Sequence, residues 1–334
     1  MHVVSQKRVQ KMSSLNAKLV RRPHQRVSIW KRCRERWQLF LFILPPLVFL
    51  AIFEYYPMFG VQIAFKNYSP GLGIWNSPWV GFDNFTRFFS SFQFSRVVTN
   101  TLRISLYSLV VGFPLSFIFA LMLNIVRSPK IKKTVQTITY VPYFISVVVV
   151  VGLLNQVFNP VVGLYGNIYR LFNPGGYPDS ILTKPQAFIH LYVWSGVWQG
   201  MGWSSIIYLA ALSNVDPELQ EAAQIDGANR FQRVLHIDLP TILPTASIML
   251  ILNSGSLMSV GFEKIYLMQN NMNLQFSEVI STYVYKVGMT GGGGANFSYA
   301  SAIGLFNSVI NCALLVIVNL IARRLGDGEG ASLW

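Results

Sequence analysis

The chain has 334 residues, 52% of them hydrophobic and only 12% charged, with a mean hydropathy of +0.41. Soluble domains carry charge on roughly a quarter of their residues, so an ordinary soluble protein is excluded; the formal net charge of +14 gathers at the ends of apolar runs, where membrane orientation rather than nucleic-acid binding puts it. Two cysteines, Cys33 and Cys312, and four scattered histidines, His2, His24, His190 and His236, form neither a disulfide framework nor a metal-ligand spacing.

In chain order, residues 1–37 are a basic tail. Val27–Trp37 within it combines arginines with two tryptophans, a composition suited to lipid headgroups. Apolar runs of spanning length then occur at about 38–59, 100–125, 135–158, 187–212, 242–266 and 297–322, which predicts an all-α membrane protein with six transmembrane helices. The first run holds Pro45-Pro46, expected to kink it, and Glu54 near its outer end. Some 37 residues precede it and no small-x-small cleavage site follows, so it reads as an uncleaved anchor. Lysines and arginines set the orientation. The tail to Gln38 holds 11 of them, and with Arg127–Lys133, Arg230, Arg233, Arg323 and Arg324 the total on one side is 19 of 27. Both termini and the block at 213–241 are therefore expected in the cytoplasm. The loops at 60–99, 159–186 and 267–296 then lie outside; the run Gly291–Gly294 in the last reads as a flexible linker.

Polar residues inside the spans are few. Trp194 and Trp198 sit one turn apart in the fourth run, with Gln199 and Trp203 close behind, and Asn253, Ser254 and Ser256 lie in the fifth. An aromatic face beside an amide suits a sugar; interfacial anchoring and helix packing account for the same residues. Gly255 and Gly261 read as packing positions. The ionisable residues of the spans are Glu54, Arg103 and the pair Glu263-Lys264, all near span ends, whereas a proton-coupled carrier calls for one in mid-membrane. Outside, Lys66, Arg87, Arg96, Arg170, Lys184, Lys264 and Lys286 outnumber the acids, an excess compatible with an acidic solute. No G-x-x-x-x-G-K-[ST] phosphate loop and no H-E-x-x-H or similar catalytic cluster occurs.

The block between the fourth and fifth runs is different in kind. Asp216-Pro217-Glu218 is a helix start, with a capping carboxylate, a proline at the first position and an acid at the positive helix end. Gly227 is a natural stop. A second helical stretch is expected over 229–237, breaking at Leu239-Pro240. The small residues at 222, 223 and 227 would let another surface approach the backbone. Read from physics alone, this is either a docking element or an ordinary helical hairpin.

The spacing Glu221-Ala222-Ala223, three residues, Gly227, nine residues, then Ile237-x-Leu239-Pro240 resembles the EAA loop of permease subunits of binding-protein-dependent ABC importers. The resemblance covers residues 98–322 as a permease core with the coupling loop at 213–241, preceded by a first helix and external loop at 38–97 and followed by a cytoplasmic end at 323–334. The added N-terminal span is similar to carbohydrate importers of the maltose-transporter class. YYPMFGVQIAFKNYSP and SPWVGFDNF, between Tyr55 and Phe85, resemble a branch handling oligosaccharides, alginate- or pectin-derived fragments among them. The resemblance implies a type I importer permease fold in a bacterial inner membrane. It implies a second, homologous permease as partner in a heterodimer, two cytoplasmic ATPase subunits that hold ATP and magnesium, and an extracytoplasmic solute-binding protein. It implies no cofactor in this chain, no nucleic acid and no enzymatic step. Glu221 would be the polar contact to the ATPase, Ala222 and Ala223 would allow close seating, and Gly227 would set the angle between helices. A secondary, ion-coupled sugar transporter is the alternative, but it predicts two similar halves and leaves the spacing of the loop unexplained.

Overall fold

The computed structural model describes residues 37–290 and 296–325, the side chain of Leu325 excepted. The headgroup-binding tail, the linker at Gly291–Gly294 and the chain beyond Leu325 lie outside the described residues. The chain divides into two compact units, Met1–Gly60 and Val61–Trp334.

In the first unit, α1 (Trp37–Leu50) runs through Pro45 and Pro46. It then widens into a π-turn at Ala51–Tyr55, where the Tyr56 N–H donates to the Ala51 carbonyl. None of its residues is buried, as suits a helix whose side chains are apolar all round.

The second unit is nearly all helix; the isolated β-bridge among its described residues joins Lys66 and Trp79. Its principal helices are α2 (Phe92–Ile125), α3 (Pro129–Tyr140), α4 (Val147–Val157), α5 (Pro185–Leu212), α6 (Pro217–Ile225), α7 (Arg230–Arg233), α8 (Leu239–Gly255), α9 (Phe262–Met268) and α10 (Phe297–Leu325). Serines start several of them. Ser91, Ser128 and Ser146 each accept a hydrogen bond from a backbone N–H of the helix that follows, supplying a partner to donors that would otherwise be orphaned.

Among the described residues, four helical stretches are long and apolar enough to cross a membrane: Trp37–Phe65, Phe92–Ile125, Arg230–Gly255 and Phe297–Arg324; α3 with α4 makes a fifth if the bent pair is counted as one span. The expected count of six therefore meets three differences. The third run is not one straight helix: its two halves are bent by 100° around Pro142 and the Ser146 cap. The fourth run is helical where expected, as α5, but its tryptophans, glycines, serines and glutamines leave it less apolar than the rest. The fifth run ends early, at Gly255, and resumes only at Phe262.

That last break is held from α10. The Met258 N–H donates to Asn311 Oδ1 at 2.8 Å, and Asn311 Nδ2 donates to Ser259 Oγ at 2.8 Å. Non-helical backbone at membrane depth is tolerated where protein satisfies it or where it lines a cavity, and here it does both.

Helix α5 lies along α2 and also meets α3, while α8 packs on α10. A Cβ at Gly202 would overlap the Thr139 carbonyl, so glycine permits the α5–α3 approach; one at Gly255 would meet Leu315. Three buried clusters succeed one another along α2. Val97 joins Phe88, Met258, Ile280, Tyr299 and Ile303; Ile104 joins Phe188, Ile265 and Val279; Ala120 joins Tyr208 and Ala246. Between the second and third clusters the packing opens.

Candidate functional site

The opening is a cavity of about 880 Å³ lined by α2, α5, the end of α8, the break at 256–261 and Lys264 of α9. The volume lies within the range of small-molecule sites, about 300–1,000 Å³. Its wall mixes apolar side chains with hydroxyls and amides, among them Ser105, Ser116, Tyr192, Gln199, Asn253 and Ser259.

The structure divides the six sequence-predicted path residues. Gln199, Trp203, Asn253 and Ser256 line the cavity, and Trp194 and Trp198 are not part of its wall. Trp194 Nε1 donates to the Tyr107 hydroxyl at 3.0 Å, so it ties α5 to α2; Trp198 is half exposed. Trp203 stacks on Tyr143, with ring centroids 4.6 Å apart and planes within 5°. Gln199 Nε2 donates to the Ile145 carbonyl at 2.9 Å, satisfying backbone at the α3–α4 bend. Asn253 Nδ2 donates to Met249 O at 2.8 Å and Ser256 Oγ to Asn253 O at 3.1 Å. Gly261 joins the wall too; a Cβ there would lie 3.2 Å from the Tyr192 hydroxyl.

Most of the seven outer cations have partners within the protein. Lys66 is buried and donates from Nζ to the carbonyls of Ile74 and Trp75, at 2.7 and 3.3 Å, with the ammonium over the Trp79 ring. Arg96 and Lys286 both pair with the buried Glu278. Arg87 lies over Tyr299, and Arg170 donates to Val161 O and Asn167 Oδ1. Lys184 pairs with Asp179 at 3.0 Å; that hydrogen bond and the adjacent negative charge raise its ammonium above the usual lysine range. Lys264 alone among the seven lines the cavity. It is 8% exposed, so its side chain is buried in the protein.

At the other end of α5, the polar loop folds as two helices and a turn. Asp216 Oδ1 accepts from the Glu218 N–H at 2.9 Å and opens α6. Gly227 takes φ +81°. The Ala228 N–H then reaches Ala223 O at 2.8 Å and the Gly227 N–H reaches Gln224 O at 3.1 Å, the paired closure of a Schellman turn, which favours glycine at the left-handed position. Asn229 and Gln232 form a reciprocal capping box at the start of α7. The predicted break at Leu239-Pro240 does not occur. The π-turn Val234–Asp238 lets the Leu239 N–H bond Val234 O, and the added residue carries the helix past Pro240 into α8; a π-bulge is a recognised way of relaxing the i to i−4 ladder.

Glu221 and Ala222 are exposed, as are Gly227 and Pro240, while Ala223, Ile237 and Leu239 are half-buried. Asp238, the unassigned position between Ile237 and Leu239, is the residue that sequence reasoning missed. It is buried and accepts from Gln220 Nε2 at 2.8 Å and from Asn124 Nδ2 at 3.2 Å. Gln220 Oε1 in turn accepts from Arg233 at 3.3 Å. These contacts tie α6, the α7–α8 junction and the C-terminal end of α2 together. An aspartate next to an otherwise apolar Leu-Pro was the available signal. Among the described residues, no cluster of three or more His, Cys, Asp or Glu could hold a metal ion.

Residues 112–327 match the family model described as the binding-protein-dependent transport system inner membrane component. The chain is 42% identical over 297 residues to the protein LplB of Bacillus subtilis, covering 89% of this chain and 91% of that one. It is 39% identical over 289 residues to the polygalacturonan/rhamnogalacturonan transport system permease protein YteP of the same organism, covering 86% and 88%. Among solved structures it is similar to a chain of a bacterial ABC transporter involved in the import of the acidic polysaccharide alginate, with a TM-score of 0.81, 38% identity, and 90% of this chain and 100% of that chain covered.

Proposed function

We propose, for a chain that belongs to the family of binding-protein-dependent transport system inner membrane components, that the cavity between α2, α5 and the α8–α9 break is the route of its sugar. The chain is a permease subunit of an ABC oligosaccharide importer, a multi-pass membrane protein with the importer permease fold, and it catalyses no reaction itself. The observation that carries the route is the break at 256–261. It exposes non-helical backbone and serines to a cavity of about 880 Å³, an arrangement that transporters use where broken helices meet a solute.

Six spans with both termini cytoplasmic complete the proposed topology, with α5 as a less apolar span surrounded by protein. A second, homologous permease forms a heterodimer with this chain. Two cytoplasmic ATPases bind ATP and magnesium, and an extracytoplasmic binding protein delivers the oligosaccharide. Glu221, Ala222 and Ala223 on the exposed side of α6 dock the ATPase, Gly227 fixes the turn, and Ile237, Leu239 and Pro240 join the loop to α8. Closure of the ATPases moves α6, and the Asp238 contacts pass that movement to α2 and α8 as a rigid-body shift. Gln199, Trp203, Asn253 and Ser256 contact the sugar; Trp194 and Trp198 have other tasks. The names of the relatives, one a transporter involved in the import of the acidic polysaccharide alginate and one a polygalacturonan/rhamnogalacturonan transport system permease, support polysaccharide fragments as substrate.

The test is ATP hydrolysis by the complete transporter in lipid, with its binding protein and a panel of neutral and acidic oligosaccharides, comparing wild type with Glu221→Lys. Stimulation by a sugar in the wild type, lost in an assembled Glu221→Lys complex, is the expected result. Undiminished stimulation in the variant would remove the loop from the coupling role, and no stimulation of wild type by any oligosaccharide would remove the proposed substrate class.

A further inference from the structure

Resting on the cavity as the sugar route, we propose that Lys264 is a binding site for the carboxylate of an acidic sugar unit, which makes the imported oligosaccharide a uronate-bearing one. A buried lysine without a compensating charge is costly, and an ionisable residue facing the interior of a transporter bundle marks a solute pathway. The ion pairs among the described residues are Arg96–Glu278, Lys286–Glu278 and Lys184–Asp179; Lys264 takes part in none of them. Its sequence neighbour Glu263 is exposed while Lys264 is buried, so the two side chains face different surroundings.

The local geometry leaves the ammonium open to the cavity. Nζ donates to the Tyr192 carbonyl at 3.2 Å and lies 5.1 Å from the centre of the Tyr192 ring. An ammonium has three N–H donors, so one backbone carbonyl leaves two for a solute. Gly196 faces it from α5: a Cβ there would lie 3.5 Å from Nζ, and a larger side chain would stand between the charge and the cavity. The other wall residues are neutral, able to bond sugar hydroxyls but not to balance a charge. Lys66 is the control within the same molecule. It too lacks a carboxylate, yet two carbonyls and an indole occupy it, and it lies outside the cavity wall. One cation without a carboxylate partner, in an otherwise neutral sugar-sized chamber, matches one carboxylate at a time, as a chain of sugar acids would present them. A charge-assisted hydrogen bond is about twice as strong as a neutral one, which gives the preference its direction.

The experiment compares tetragalacturonate with its fully methyl-esterified, uncharged form on the complete transporter in nanodiscs, measuring direct binding without the binding protein and uptake in proteoliposomes with it. Wild type is expected to bind the acid at least ten-fold more tightly than the ester. Lys264→Met and Lys264→Gln should each lower that acid-to-ester ratio about ten-fold, and Lys264→Arg should preserve it. Co-purification of all subunits establishes that a variant has assembled, and the wild-type ratio stands as a test even if a neutral variant does not assemble. A wild type that handles acid and ester equally, or an assembled Lys264→Met complex with the wild-type ratio, overturns the site while leaving the route intact. A wild type that neither binds nor moves either sugar or any neutral oligosaccharide overturns the route, and the site with it.

Discussion

The loop at 213–241 and the cavity are both organised by buried hydrogen bonds, yet they present opposite surfaces. In the loop one set of polar groups turns inward, with Asp238, Gln220, Asn124 and Arg233 bonding one another, while Glu221 and the apolar Ile225 and Phe231, 87% and 73% exposed, are among the residues left outside. In the cavity the helix breaks are satisfied by Gln199 and Asn311, and hydroxyls and Lys264 stand on the inner wall. A lever needs a rigid inside and an adhesive outside. A solute path needs the reverse. Changes that loosen the loop should therefore reduce coupling, and changes that fill the cavity should reduce passage.

The largest effect is expected at Asp238. Asp238→Ala leaves two half-buried amides without their acceptor, at a cost of roughly 1 kcal/mol, and separates α6 from α2; sugar-stimulated ATP hydrolysis should fall at least ten-fold in assembled complex, with Asp238→Asn falling less. An Asp238→Ala complex that couples normally would sever the link drawn between the loop and the bundle. Next is Gly196→Leu, which puts a branched side chain between Lys264 and the cavity. Uptake should drop several-fold while the subunits still co-purify, and uptake at the wild-type rate would show that solute passes elsewhere. The smallest is Gly227→Ala. A Cβ there meets no neighbour within 4 Å, so only the left-handed φ is strained, at about 1 kcal/mol. A thermal-unfolding scan of the complex should record a small drop with coupling changed less than two-fold; a large loss of coupling would mean that the angle between α6 and α7 matters more than the contacts of Asp238.

Legibility differed between the two regions for a physical reason. The loop is local: cap, proline, glycine stop and small residues lie within 25 positions of one another, and the structure forms α6 and the Gly227 turn from them where the spacing predicts. Even so, the π-turn that carries the chain past Pro240 escaped, because it depends on how α8 enters the bundle. The cavity is non-local. Trp194 and Trp198 look as suited to a sugar as Trp203, and only the packing of α5 against α2 and α3 separates them. Likewise seven outer cations are equivalent in a list of charges, until the fold gives them their partners, up to 182 positions away in the case of Arg96 and Glu278, and sets Lys264 alone among the seven on the cavity wall.

By itself the sequence determined the membrane class, the helical content, the position of the polar loop and the kind of machine it serves, since hydropathy, capping and motif spacing act over one or two helical turns. Tertiary structure alone decided where the fifth run breaks, that Asp238 is the joint of the loop, and which cation meets the solute. Those outcomes depend on which side chains from distant helices arrive to satisfy a carbonyl, a carboxylate or an ammonium, and burial makes each unpaired group too costly to leave to chance.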